Sequence, residues 1–368
     1  MIPQYNPIYS QEEKEALKAF IDTPTWFSEY KKTEEFEELI EKKTQNKYCS
    51  VVNNGTIAIS IALLACGVEP YHEVIVPDLT MIATANAVKF IGAKPVFCDI
   101  ETTTGCLDVE QAMRLVTDKT KAIIYVTLNG RMNLKAIELL RLFCLKNRIK
   151  LIKDDAQSLG SCDIFGRPLQ IENFGDLHTL SFSPHKLISM GQGGCIVTND
   201  DYLGEKVERL KDFGRLVGGE DYHPEFGINS KYTDLQAVLG IEQMKTLTQK
   251  INKKREIYDE YYNQLKDAID KNQIFMFQRE GGHTPWFVDA YIRQHYKTDL
   301  LEHLFNCGIQ TRKMYPVISS CKFYSEFYSN TYWAGEFSDD GFWLPSSLNL
   351  TKEDISFICE KIKEYLSK

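Results

Sequence analysis

The sequence lacks the long apolar run that a membrane-spanning helix needs. Its longest apolar stretch, residues 57–66, is about half of the roughly 20 residues that cross a bilayer, and it is typical of a buried helix. The first residues, MIPQYNPIYSQEEKE, have neither a basic start nor an apolar core, so no signal peptide is expected. We therefore expect a cytoplasmic protein with no membrane partner.

Basic runs, paired cysteines and metal-ligand spacings are also lacking. The 43 basic and 51 acidic residues give a net charge of −8, which disfavours binding to nucleic acid or to an anionic membrane. The ten cysteines form no CxxC pair, and without an export signal they are expected to be free thiols. The seven histidines show no ligand spacing, so no metal site is expected.

What the sequence does contain is a regular alternation of strands and helices. The chain has 368 residues, of which 43% are hydrophobic, enough for two domains. Predicted strands cover residues 73–77, 94–100, 121–127, 150–154 and 194–199. Predicted helices cover residues 56–66, 80–91, 108–116 and 133–147. This alternation predicts an α/β protein with a mainly parallel sheet that helices cover on both faces.

The two ends of the chain carry further helices. Ser10 and Glu13 have the spacing of a capping box, which predicts a helix as far as Ile21. Beyond residue 245 the predicted elements are a long charged helix at 247–269, a strand at 287–293, a helix near 298–306 and a last helix from Thr351 to Leu366. We therefore predict a large cofactor-binding domain over residues 1–245 and a smaller domain over residues 246–368.

The first motif is a turn that follows a strand, VVNNGTIAI at 51–59. Gly55 lets the backbone turn tightly, and the amides that follow form the positive end of a helix. The hydroxyl of Thr56 adds a donor for a phosphate. The alternative is an ordinary Asn-Gly turn with a threonine cap.

The second motif, LIKDDAQSLG at 151–160, ends a strand with acidic residues. Ligands of parallel sheets bind at this edge. A carboxylate at Asp154 could keep the ring nitrogen of pyridoxal phosphate (PLP) protonated, and Gln157 could donate to the ring's 3-oxygen. Lys153 and Asp155 should point away from Asp154, because side chains alternate along a strand. The alternative is a cap for the next helix.

The third motif, LSFSPHKLISMGQGGCIVT at 180–198, places Lys186 in a loop between strands. Ser181 and Ser183 precede it as phosphate donors, and a glycine cluster follows it. A desolvated lysine has a lowered pKa and is a usable nucleophile; the alternative is a solvated surface charge. The fourth motif, a polar turn within 226–244, precedes an apolar helix and could simply cap it.

The order of these motifs resembles that of the DegT/StrS family of PLP-dependent sugar aminotransferases, in particular its perosamine-synthase branch. The motifs, in order, are NGT, DDAQ, SFSPHK with GQGG, and GINSKYTDLQAVLGIEQ. The resemblance spans nearly the whole chain. It implies the fold type I of PLP-dependent transferases (aspartate-aminotransferase-like), with a large domain around a mainly parallel sheet and a smaller C-terminal α/β domain. It also implies a homodimer with shared active sites.

The resemblance assigns cofactor roles to individual residues. Lys186 would carry PLP as a Schiff base and then act as general base and acid. Asp154 would pair with the ring nitrogen and Gln157 with the 3-oxygen. The implied phosphate ligands are Gly55, Thr56, Ser181 and, for the cofactor of the partner subunit, Asn229.

Three positions depart from the family pattern. Met81 stands where an aromatic residue usually stacks on the cofactor ring, and its polarizable sulfur can cover a π face. Thr127 and Ser319 stand where relatives often have histidines. We expect these two losses to lie near the acceptor rather than near the cofactor.

The implied reaction moves an amino group from L-glutamate, through pyridoxamine phosphate, to a phosphate-bearing keto acceptor. The family suggests a nucleotide-linked 4-keto-6-deoxy sugar, used in surface-polysaccharide or amino-sugar biosynthesis. Basic and aromatic candidates for holding its phosphates or rings are Arg215, Lys231, Trp286, Arg312 and Tyr315, which could equally serve the surface or the core.

Three other functions remain open from the sequence. The first is amino transfer to a small phosphorylated ketone, which the lost histidines and Met81 would suit. The second is a PLP-dependent dehydratase, although relatives of that kind have histidine in place of the lysine at 186. The third is a regulator that kept the fold without the chemistry, although the lysine, aspartate and glutamine are all present.

Overall fold

The computed structural model describes residues 1–170, 172–327, 329 and 331–367. These residues form two sheets. The strands of the large sheet are β1 (Tyr48–Val52), β2 (Glu73–Pro77), β3 (Lys94–Cys98), β4 (Thr120–Val126), β5 (Lys150–Asp154), β6 (Leu177–Ser181) and β7 (Gly194–Thr198). The strands of the small sheet are β8 (Val288–Tyr291), β9 (Arg312–Lys313) and β10 (Gly341–Leu344).

The large sheet has the order β1-β7-β6-β5-β4-β2-β3. Strand β7 runs antiparallel to both of its neighbours, and the other pairs are parallel. The predicted mainly parallel sheet is therefore confirmed. Because antiparallel neighbours need no crossover helix, a loop over residues 182–193 joins β6 to β7, and this loop carries Lys186.

The α-helices of the described residues are α1 (Gln11–Ile21), α2 (Lys31–Thr44), α3 (Gly55–Ala65), α4 (Ala83–Phe90), α5 (Val109–Arg114), α6 (Leu134–Asn147), α7 (Asp201–Lys211), α8 (Asp234–Lys245), α9 (Leu247–Asp270), α10 (Gln294–Asn306), α11 (Tyr332–Asp340) and α12 (Lys352–Leu366). At α12, Thr351 and Asp354 form a capping box. At α1 only half of the predicted box forms: Ser10 caps the helix, but the carboxylate of Glu13 accepts a hydrogen bond from Gln243 at 3.1 Å.

Apolar strands and helices bury the large sheet on both faces. Strand β2 is buried at all five positions, as expected for a parallel strand covered on both sides. Helix α3 packs against β1, β6 and β7 and against helices α4 and α7. Its sequence, GTIAISIALLA, is apolar on nearly every side and mostly buried. Helix α3 therefore holds its first turn at a fixed place beside the sheet.

The small sheet is antiparallel, with β10 between β8 and β9. Apolar side chains of α9, α10 and α12 pack with residues of β8 and β10 in one buried cluster. The N-terminal segment also lies here, since Ile2 pairs with Ile309 and the N–H of Ser346 donates to Gln4 O at 2.9 Å. The predicted boundary after residue 245 stays a prediction, and residues 1–4 lie beside the elements that follow it.

Two further observations concern partners. No helix within the described ranges is long and apolar enough to cross a membrane. Over the same ranges, no group of three or more histidine, cysteine, aspartate or glutamate side chains could hold a metal ion. The ten cysteines all have free thiols.

Candidate active site

Asp154 ends β5 at the edge of the sheet where the third motif also lies. Its carboxylate is buried. It accepts hydrogen bonds from the Thr84 hydroxyl at 2.7 Å and from the Ala156 N–H at 3.2 Å. Burial raises the pKa of Asp154, and these two bonds oppose that rise. Among the described residues no lysine, arginine or histidine forms an ion pair with it. A buried carboxylate that forms no ion pair within the described chain fits a ligand that brings a cationic N–H, such as the protonated ring of PLP.

Lys186 faces this carboxylate from the loop between β6 and β7. Its Nζ lies 4.1 Å from the ring centroid of Trp286, and the indole N–H donates to His185 O at 2.8 Å. Burial lowers the pKa of Lys186 to about 7. The negative charge of Asp154 raises this pKa, and the positive charge of Arg312 lowers it further. A large fraction of the amine is therefore neutral near pH 7, as a nucleophile requires.

Side chains next to Asp154 point away from it, as the alternation along β5 predicts. Lys153 donates to Leu169 O at 2.5 Å, and Asp155 accepts from the hydroxyls of Thr127 and Ser158, each at 2.9 Å. Both residues are fully buried. They therefore brace the strand that ends in Asp154 from its other side.

Gln157 presents one end of its amide to the site. Its Oε1 accepts a hydrogen bond of 2.7 Å from the backbone N–H of Asn129. Because this bond occupies the carbonyl end, the NH2 end is the one available to a ligand. Such a donor suits the 3-oxygen of PLP, as the sequence predicts for this residue.

The predicted phosphate ligands meet where α3 begins. A side chain at Gly55 would approach Ser181 Cβ to 3.1 Å, so the turn and β6 are in close contact. The side chain of Asn54 accepts from the N–H of Ile57 at 3.0 Å, whereas the amides of Gly55 and Thr56, in the first turn, have no partner within the helix. Amides and hydroxyls of this kind can hold a phosphate.

Met81 is linked to the Asp154 carboxylate through Thr84. It is 47% exposed, and its carbonyl accepts from the N–H of Thr84, the residue that bonds Asp154. Sequence reasoning missed Thr84, although a hydroxyl in the first turn of the helix after β2 was a usable sign. A ring-covering role for Met81 stays a prediction.

Three of the acceptor candidates gather around Lys186. These are Trp286, Arg312 and Tyr315. The guanidinium carbon of Arg312 lies 6.0 Å from the ring centroid of Tyr315. Arg312 is exposed, and it forms no ion pair with a carboxylate of the described chain. Its charge helps to lower the pKa of Lys186. Arg312 is therefore an unpaired cation at the mouth of the site.

The other two basic candidates lie in a different cluster. Lys231 and Arg215 pair with Asp212 at 2.9 and 3.4 Å and lie over the ring of Phe213. Asn229 is exposed beside them, and its Oδ1 accepts from the N–H of Lys231 at 3.4 Å. None of the contacts found for these residues within the chain is with Lys186 or Asp154.

The two positions that replace family histidines are buried, and their proximity to the acceptor stays a prediction. Thr127 is fully buried, and its hydroxyl bonds Asp155. Ser319 is also fully buried, and its hydroxyl donates to Asp78 at 2.6 Å. Both hydroxyls are therefore held by buried carboxylates within the chain.

A separate cleft of about 830 Å³ lies on the small-sheet side of the molecule, between residues of α9, α10, α11 and α12. Its walls include Phe275, Tyr296 and Trp333. This cleft shares no lining residue with the site around Lys186. The volume of a cleft therefore does not locate the candidate active site in this protein.

Comparison with known proteins bears on this geometry. The model of the DegT/DnrJ/EryC1/StrS aminotransferase family matches residues 7–363. GDP-perosamine synthase of Escherichia coli O157:H7 is 33% identical over 100% of this chain and 99% of its own length. The 3-oxo-glucose-6-phosphate:glutamate aminotransferase of Bacillus subtilis is 31% identical over 78% of this chain and 64% of its own length. The crystal structure of ntda from Bacillus subtilis with bound cofactor PMP superposes with a TM-score of 0.90 at 25% identity, covering 100% of this chain and 88% of that one.

Proposed function

Because this chain belongs to the DegT/DnrJ/EryC1/StrS aminotransferase family and is a PLP-dependent aminotransferase, we propose that it transfers an amino group from L-glutamate to a nucleotide-linked 4-keto-6-deoxy sugar. The product would enter surface-polysaccharide or amino-sugar biosynthesis. The observation that carries the proposal is the pairing of Lys186, half-buried and with a pKa of about 7, with the buried Asp154, which forms no ion pair in the described chain.

The proposed cofactor residues would hold PLP at its ring nitrogen, its 3-oxygen, its phosphate and one face of its ring. Bound PLP supplies an electron sink for the carbanion at the substrate's α-carbon. Asp154 keeps the ring nitrogen protonated, and the free NH2 end of Gln157 donates to the 3-oxygen. The amides of Gly55 and Thr56 and the hydroxyl of Ser181 bind the phosphate, while Met81 covers one face of the ring.

Lys186 is the proposed proton carrier. A base works best when its pKa is near the working pH, and burial brings the pKa of this lysine to about 7. The amine can therefore take a proton from the α-carbon of the donor and return one to the product. Trp286 closes one side of the amine and excludes water from it.

Arg312 is the proposed anchor for the acceptor's phosphate. It is an exposed cation without a carboxylate partner in the described chain, close enough to Lys186 to influence its pKa. The perosamine synthases among the relatives are named for a GDP-linked product. A small phosphorylated ketone is the second candidate, favoured by the similarity to the 3-oxo-glucose-6-phosphate:glutamate aminotransferase of Bacillus subtilis.

A homodimer with shared sites is also part of the proposal. Several large apolar side chains in two segments near Asn229 are exposed, namely Trp26, Phe27, Tyr30, Phe213, Leu216, Val217, Tyr222 and Phe226. The two segments flank one turn, since the N–H of Tyr232 donates to Glu29 at 3.0 Å. Exposed apolar patches of this kind mark interaction surfaces. The exposed Asn229 between them would reach the phosphate of the partner's cofactor.

The cofactor lysine can be identified by reduction. Borohydride should fix PLP to a peptide that contains Lys186, and the Lys186→Ala variant should lose the label. Lys254→Met is the matched control, because burial lowers the pKa of Lys254 to about 7 as well. That variant should keep the label. A label on any lysine other than Lys186 would remove the centre of the proposal.

The acceptor's phosphate can be tested with Arg312→Gln. A charge-assisted bond to phosphate contributes about 1.5–3 kcal/mol, so KM for a phosphorylated keto sugar should rise roughly 10- to 150-fold, with kcat changing less. Lys313→Gln, the next exposed cation on β9, should change KM little. Equal losses for phosphorylated and unphosphorylated acceptors in Arg312→Gln would contradict the assignment.

A further inference from the structure

We propose that Asn129 is a positioning residue that fixes the amide of Gln157 and ties it to strand β8 of the small sheet. The inference rests on the proposed role of Gln157 toward the cofactor. Asn129 lies in the turn after β4 and is 2% exposed. Its side chain makes no contact with Lys186 or Asp154, so it acts only through its neighbours.

The backbone of Asn129 joins two of those neighbours. Its N–H donates to Gln157 Oε1 at 2.7 Å. Its carbonyl oxygen lies 2.8 Å from His283 Nε2, and burial lowers the pKa of that imidazole to about 3. His283 therefore stays neutral at physiological pH and can donate its ring N–H to the carbonyl. The peptide that orients Gln157 is thus held from both sides.

The side chain of Asn129 binds strand β8 and Phe287, the residue just before it. Its Nδ2 donates to Phe287 O at 2.9 Å and to Asp289 Oδ1 at 2.7 Å. Its Oδ1 accepts from the N–H of Phe287 at 2.8 Å. Every polar group of this buried residue therefore has a partner, and unmaking any of these bonds would leave a buried group unsatisfied.

The backbone conformation shows why asparagine suits this position. Asn129 has φ 53° and ψ 29°, a left-handed conformation that asparagine tolerates better than most residues. Gly130 follows with φ 81°, and a side chain there would approach Thr284 O to 2.3 Å. The turn is therefore pressed against residues 284–289 and cannot shift without them.

The anchor on β8 is itself fixed. Asp289 is fully buried and forms an ion pair with Arg131 at 2.7 Å, while the Tyr291 hydroxyl donates to it at 3.0 Å. The guanidinium carbon of Arg131 lies 4.0 Å from the ring centroid of Phe277. Gln157 is thereby held in place through Asn129 by the small sheet, rather than by the large sheet that it follows in sequence.

The test uses the colour of the bound cofactor. A hydrogen bond from Gln157 to the 3-oxygen stabilises the oxygen's anionic form, so its loss should raise the pH at which the absorbance of lysine-bound PLP changes. Asn129→Gly keeps the left-handed backbone and its bonds to Gln157 and His283, and removes the side-chain bonds to Phe287 and Asp289. We expect an upward shift of a few tenths to about one pH unit. Asp289→Asn, which keeps the size of the group, should give a smaller shift in the same direction.

The double variant distinguishes a positioning role from a general structural one. If Asn129 acts through Gln157, adding Asn129→Gly to Gln157→Ala should cause no further shift. Asn272→Gly is the matched control, because Asn272 is also left-handed, with φ 56°, and lies outside the site; its titration should match that of the unchanged protein.

The outcomes separate the inference from the proposed function. A normal titration in both Asn129→Gly and Asp289→Asn, with a shift in Gln157→Ala, overturns the inference and leaves the role of Gln157 intact. Fully additive shifts in the double variant overturn it too. No shift in Gln157→Ala removes the proposed role of Gln157 itself. If Asn129→Gly does not fold, Asp289→Asn and its double variant with Gln157→Ala decide the question.

Discussion

Lysines whose pKa burial lowers differ in their partners, and the partners set the final pKa. Lys211 has three glutamates within 4 Å, and they hold its pKa above the ordinary value despite the cost of burial. Lys186 feels one carboxylate charge, and its pKa falls to about 7. Lys254 donates only to two carbonyls, Trp286 O at 2.8 Å and Ser346 O at 2.7 Å. Burial without a counter-ion therefore brings a structural lysine to the same pKa as the proposed catalytic one.

Lys254 should make stability depend on pH. Its pKa is about 7 in the folded state and about 10.4 in the unfolded state, so between these values the unfolded chain binds more protons. Stability relative to Lys254→Met should therefore rise with pH through this window, by up to about 1.4 kcal/mol per unit, and should be flat below about pH 7. Urea unfolding of both proteins at several pH values measures this difference.

The comparison needs a control on the same helix. Lys253→Met removes the neighbouring lysine, which forms a partly exposed ion pair with Glu256, and its difference from the unchanged protein should vary little with pH. A difference for Lys254→Met that falls as pH rises would mean that the ammonium is stabilised in the folded protein, contrary to its surroundings.

At the scale of elements, apolar strands that continue for a full run were predictable. The bounds of β2 and β5 are the predicted residues 73–77 and 150–154. Strand β6, LHTLS, was not predicted, because its strand pairing rather than an apolar run defines it. The antiparallel direction of β7 was not predictable either, since the side-chain pattern of a strand is the same in both directions.

The site shows the same division between local and distant information. Lys186, Asp154 and Gln157 stand in local motifs next to strand ends, so the sequence placed them at one edge. Thr84 and Asn129 act through residues far along the chain, and only the fold brings them there. Thr127 and Ser319 looked like substrate positions by analogy, but the fold buries both.

At the scale of the whole molecule, the question is whether one chain builds a complete site. Within the described chain, the side chain of Asn229 contacts only its own turn, although the resemblance gives it a phosphate to hold. A two-fold axis would make such a contact reciprocal, so that two equal sites form together. The proposed dimer is therefore a condition for activity as well as an assembly.

Mixing two inactive variants tests this arrangement. Lys186→Ala removes the lysine, and Asn229→Asp places a carboxylate against the partner's phosphate, a like-charge contact that should expel the cofactor. In a mixed dimer one site collects both defects and the other collects neither. After subunit exchange of equal amounts, activity should recover to roughly a quarter of the unchanged protein's.

The control mixture pairs Lys186→Ala with Asp154→Asn. Both residues are proposed to serve the site of their own chain, so every mixed dimer would carry one defect in each site and recover nothing. No recovery in the first mixture, despite proven exchange, would show that Asn229 does not act across the subunit boundary. Recovery in the control would show that Lys186 and Asp154 do not serve the same site of their own chain.

The pairing of β1 with β7 has a consequence for how the chain is made. It joins residue 52 to residue 194. Strand β1, which leads into the proposed phosphate-binding turn, has β7 as its neighbour in the sheet. It therefore has no strand partner until residue 194 has left the ribosome. Closing so long a loop is slow compared with forming local contacts. The helices and parallel strands between them can form earlier, so cofactor capture should follow their folding rather than start it.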